Sequence, residues 1–163
     1  MKFRCDFVTN SSSSSFIVNF KDKDAMKEAY DSMCERYAES IAERVFSDIE
    51  EGKCTYSKAL ASVKESLTWK IKWRMEDLPE HKYKPYTYFD SPEFMKLVNR
   101  EVNKRLEEFK AKTAHRGIFA EVSYSDHSEI GSFLENKVMP EMPFVKYISN
   151  NHWGGLNENG WYL

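Results

Sequence analysis

Two groups of polar residues carry the side-chain types that bind ions or do chemistry. The first is the run Thr9-Asn10-Ser11-Ser12-Ser13-Ser14-Ser15. Successive backbone N–H groups in a turn, joined by several hydroxyls, form a concave site for phosphate or carboxylate. Asn10, Ser11, Ser12, Ser13, Ser14 and Ser15 are therefore the candidate ligand- and anion-binding residues. The run is not a glycine-rich phosphate loop, because it holds no glycine and no G-K-[ST] follows it. The plainer reading is a loop whose serines bond one another and nearby backbone. Apolar Phe7, Val8, Phe16 and Ile17 anchor it on both sides.

The second group is Asp126, His127, Glu129, Glu135 and His152. Carboxylates together with imidazole suit a divalent ion, for metal-assisted hydrolysis or for holding a phosphate. The cofactor is otherwise unknown, and a divalent metal at these five residues is the one candidate. The group converges only if the strands before Asp126 and His152 are neighbours, and no pair has an H-E-x-x-H spacing. Acids and histidines in turns are most often simply solvated. A serine nucleophile activated by His127 or His152 would need a strained G-x-S-x-G elbow, which the chain lacks. No catalytic residue is assigned. Cys5, Cys34 and Cys54 stand far apart, without a C-x-x-C pair, and read as reduced thiols.

These groups must be positioned by regular elements. Phe3 to Val8 and Phe16 to Phe20 read as strands flanking the serine turn. Met26, Tyr30, Met33, Tyr37, Ile41, Val45 and Ile49 recur at steps of three or four and predict one long helix, capped by Asp22 or Asp24 and stopped by Gly52. A second helix starts at Thr55, carries an apolar stripe from Tyr56 to Leu78, and ends at Pro79. Trp69 and Trp73 fall on the side opposite that stripe, so they are covered by another element or form a partner surface. The aromatic connector from Pro79 to Phe89 is expected to lie across the core, over those tryptophans. A third helix starts at Asp90-Ser91-Pro92-Glu93. Strands at Ile118 to Tyr124 and Phe144 to Ile148 enclose a short helix over Glu129 to Met139.

The expected fold class is α+β. An N-terminal strand pair and C-terminal strands form one small mixed or antiparallel sheet, packed on three long amphipathic helices. A single domain spans 1–163, with a strand-loop-strand over 1–20, a helical middle over 21–116, and strands, a short helix and a Gly/Asn/Trp-rich tail over 117–163. No apolar run reaches the length of a membrane span and no signal-peptide plan opens the chain, so a soluble, cytoplasmic protein is expected.

The net charge of −2 conceals a segregation. Lys21 to Gly52 holds five basic and ten acidic residues, Lys53 to Arg116 fifteen and nine, and Gly117 to the end two and six. That total argues against a dedicated nucleic-acid binder, and oppositely charged segments packing together is the plainer account. Trp69-Lys70-Ile71-Lys72-Trp73-Arg74 mixes aromatic and basic residues but covers barely two helical turns.

The opening Phe7-Val8-Thr9-Asn10-Ser11-Ser12-Ser13-Ser14-Ser15-Phe16 resembles an N-terminal segment of many small uncharacterised proteins of bacteria and their phages. The stretches Tyr124-Ser125-Asp126, Gly131-Ser132-Phe133-Leu134-Glu135 and Ile148-Ser149-Asn150-Asn151-His152-Trp153 resemble the C-terminal end of some of them. The resemblance brings no established activity. It implies a phage or mobile-element setting and two chain ends that act together. The leading functional expectation is a non-enzymatic binding protein that engages a host protein or a phosphate-bearing ligand. A small metal-dependent phosphoesterase or nucleotide-binding enzyme, and a homo-oligomeric assembly protein, are the alternatives.

Overall fold

The structure is a computed structural model that describes residues 13–150. The predicted strand Phe3 to Val8, the candidate residues Asn10, Ser11, Ser12 and His152, and the Gly/Asn/Trp-rich tail lie outside the described residues.

The expected α+β class holds. A four-stranded antiparallel sheet has the order β2-β3-β1-β4, with β1 Ser13–Phe20, β2 Lys53–Cys54, β3 Ile118–Ser125 and β4 Val145–Asn150. β1 is central: it runs in register against β3 from Ser13↔Ser125 to Phe20↔Ile118, and pairs with β4 from Ser14↔Asn150 to Val18↔Val145 with a register shift between Ile17 and Val18. Three of the serines assigned to a turn are therefore strand residues. Serine has little strand preference of its own, but ladders on both sides satisfy the backbone of Ser14 and Ser15 and override it.

Alternation along the strands sends side chains into two cores. Phe16, Val18 and Phe20, with Ala120, Val122 and Tyr124, pack against α1 (Lys23–Arg36), α2 (Glu39–Glu51) and the segment after α5 (Glu129–Phe133). Ile17, Phe119 and Tyr147 face the other way, under the hairpin of α3 (Tyr56–Glu76) and α4 (Pro92–Lys112). Helices thus cover both faces of the sheet.

The helix starts follow the sequence. Asp22, Thr55, Ser91 and Ser128 each accept a backbone N–H of the first turn, from Ala25, Lys58, Phe94 and Gly131 respectively. Such a cap contributes about 1 kcal/mol. The single long helix expected from Met26 to Ile49 is two helices. Tyr37 and Ala38 are extended, and the Tyr37 hydroxyl donates to Glu141 Oε2 at 2.9 Å while its ring meets Phe133 edge-on. The apolar stripe continues across the break because α1 and α2 pack into the same core.

Gly52 ends α2 at a negative φ, so it is not a left-handed cap. A Cβ there would lie 2.2 Å from the Glu121 carbonyl oxygen, and only glycine lets Glu121 N–H reach Gly52 O at 2.9 Å. The aromatic connector forms two 3-10 turns, Pro79–His81 and Tyr86–Asp90. The rings of His81, Tyr88, Phe89 and Phe94 cluster at 5.2–6.5 Å, and Lys72 pairs with Asp90 at 2.6 Å, closing one end of the α3–α4 hairpin. Tyr83 and Tyr86 stay exposed, and Trp69 is left 49% exposed rather than covered. No helix among the described residues is long and apolar enough to cross a membrane.

Candidate functional site

The serine run feeds both layers of the fold. Ser14 shares the face of Phe16 and is buried; its hydroxyl donates to Glu135 Oε1 at 2.7 Å. Ser15 points to the opposite face, where its hydroxyl is hydrogen-bonded to that of Ser123 at 2.7 Å. Ser13 pairs with Ser125 at the end of the ladder. Instead of one concave anion turn, the described serines divide between two environments.

The acidic and histidine group divides too. Glu135 is only 6% exposed, on a π-helical turn (Leu134–Val138) that continues α5, and its Oε2 has no hydrogen-bond partner among the described residues. Asp126, His127 and Glu129 are exposed around the turn after β3, with His127 Nδ1 4.0 Å from Asp126 Oδ1. Among the described residues no three His, Cys, Asp or Glu side chains stand close enough to hold a metal. Among the described residues, Glu135 is the candidate ligand that meets the serine run, at Ser14.

Sequence reasoning passed over an open groove of about 760 Å³ between α3 and the sheet. Ser15 and Glu121 line its sheet side, and Lys64, Ser66, Trp69 and Lys70 line its helix side. Glu121 is fixed there by the Ser62 hydroxyl, which donates to its Oε1 at 2.6 Å. α3 stands over this position because Ala59, Val63, Leu67 and Ile71 form its buried stripe.

Lys70 lies on that buried stripe and is only 4% exposed. Its Nζ donates to the Ile148 carbonyl at 3.1 Å and stands 5.5 Å over the Tyr147 ring. Removal from water pushes the amine down to about 8, with Arg74 adding repulsion. Burial pushes the neighbouring Tyr147 phenol up, and Ser66 faces that hydroxyl. Lys70 thus lines the groove with its Nζ turned toward Tyr147 and Ile148 of β4. The signal in the sequence was a lysine three residues after Leu67, in step with the apolar stripe. Its partners Tyr147 and Ile148 lie on the last strand, which no local pattern connects to α3.

Trp69 and Trp73 stack on α3, with ring planes 13° apart and centroids 6.3 Å apart. Four residues is one helical step, so both rings share a face. Trp69 forms the groove rim, which joins the proposed partner surface to the basic wall.

No protein-family model matches the chain, and no curated protein and no solved structure shows significant similarity to it.

Proposed function

We propose that this chain is a binding protein whose α3 groove takes a phosphate-bearing ligand. The observation that carries the reading is Lys70. A nearly buried ammonium, held on a backbone carbonyl and over an aromatic face, weakens the folded state, and its position on the wall of an open groove gives that cost a use. Lys64 adds a second cation, and Ser15 and Ser66 add hydroxyls that can donate to phosphate oxygens. The groove is of the size of small-molecule sites. For its setting we propose a phage or mobile element, supported by the resemblance of Phe7 to Phe16.

The test is a thermal melt with inorganic pyrophosphate, since a ligand specific to the folded state must raise its stability. The midpoint is expected to rise for the wild type and to stay put for a Lys64→Ala/Lys70→Met variant. No shift in the wild type at millimolar pyrophosphate removes the reading. A host-protein contact on the tryptophans is the second reading, favoured by the half-exposed Trp69. It predicts that Trp69→Ala abolishes complex formation while leaving pyrophosphate binding intact.

A further inference from the structure

The groove lining holds more than cations and hydroxyls. Glu65 and Glu121 line it with the lysines, so hydrogen-bond acceptors stand beside the cations. Carboxylates accept hydrogen bonds from sugar hydroxyls, the role an acid plays toward ribose in dinucleotide sites. Trp69 brings a flat aromatic surface to the rim, already aligned by its stack on Trp73 and therefore ordered before any ligand arrives. Lys64 and Lys70 are separated along α3 by about 9 Å of helix rise, so the helix side of the groove carries a lysine in each of two turns. Ring surface, acid and cations line one open groove, each suited to one part of a nucleotide.

We propose that the ligand of the α3 groove is a nucleoside phosphate, its base stacked on Trp69, its sugar hydroxyls donating to Glu65, and its phosphates held by Lys64 and Lys70. The proposal rests on the phosphate-binding reading above and adds Trp69 as the residue that distinguishes a nucleotide from inorganic phosphate. A groove of about 760 Å³ suits one nucleotide unit rather than a strand. Base stacking on an aromatic ring is tolerant of base identity, so purine and pyrimidine nucleotides are both accommodated.

The experiment is calorimetric titration of the full chain with ATP, with inorganic triphosphate and with adenosine, in wild type and in Trp69→Ala and Trp69→Phe. ATP is expected to bind roughly tenfold or more tightly than triphosphate, the scale set by stacking on an aromatic side chain. Trp69→Ala is expected to bring ATP down to the affinity of triphosphate while leaving triphosphate unchanged, and Trp69→Phe to keep most of the difference. Trp69 is half-exposed, so its replacement leaves the core untouched. Equal wild-type affinities for ATP and triphosphate, or a difference that survives Trp69→Ala, overturn the nucleotide assignment and leave phosphate binding standing. If neither ATP nor triphosphate binds, both fall together.

Discussion

The hydroxyl of Ser14 donates to Oε1 of Glu135 at 2.7 Å, joining positions 121 apart in the chain inside the sheet–helix interface. This bond ties the serine run to the acidic C-terminal quarter. It does so as a buried structural contact on the face opposite the groove.

Removing the donor leaves a buried carboxylate oxygen without its hydrogen bond. Ser14→Ala is therefore expected to lower stability by about 1–3 kcal/mol, whereas removing both polar partners in Ser14→Ala/Glu135→Leu recovers most of the loss. Urea unfolding of the three proteins measures both numbers. A double variant less stable than Ser14→Ala would contradict the cost being that of the orphaned Glu135 oxygen.

Lys70 makes stability depend on alkaline pH in an uncommon direction. Its amine titrates near 10.5 in the unfolded chain and about 8 in the folded one. Between those values the unfolded chain holds the extra proton, so folding becomes more favourable as pH rises from about 8 to 10.5. Below 8 the full cost is present, on the order of 3 kcal/mol for a residue so little exposed. Lys70→Met is expected to be the more stable protein at pH 7 and to lack this alkaline rise. Chemical unfolding at pH 7, 8, 9 and 10 reads out both effects.

Gly52 is held by contact and not by backbone sign. In Gly52→Ala the new methyl would stand 2.2 Å from Glu121 O, so the end of α2 must move off β3 and the Glu121 N–H to Gly52 O bond is strained or lost. A loss of about 1–3 kcal/mol is expected, as for other overpacked sites. Amide exchange should locate the change at Glu121. An unchanged exchange rate there would show that α2 does not depend on this contact.

Much of the fold was legible from local chemistry. The caps at Asp22, Thr55 and Ser91 lie at the predicted helix starts because each needs only a short polar side chain and the next turn's N–H groups. The break at Tyr37 and Ala38 was hidden, since both helices present apolar residues to one core and the period runs on unbroken. Ser13 to Ser15 read as turn because their strand conformation comes from β3 and β4, not from serine itself. Trp69 and Trp73 were singled out by the helical wheel. The groove beside them was not, because Lys70 becomes a buried cation only when Tyr147 and Ile148 arrive from β4.

The central claim is that Lys70 gives the α3 groove its affinity for phosphate. Isothermal titration of inorganic triphosphate into wild type and Lys70→Met, at pH 7 and at pH 9, tests it most directly. The expected result is binding by the wild type at pH 7, weaker binding at pH 9 as the amine loses its proton through about 8, and at least a roughly tenfold loss in Lys70→Met at pH 7, the scale of one charge-assisted hydrogen bond. Equal affinity of wild type and Lys70→Met, or no binding by the wild type, would contradict it.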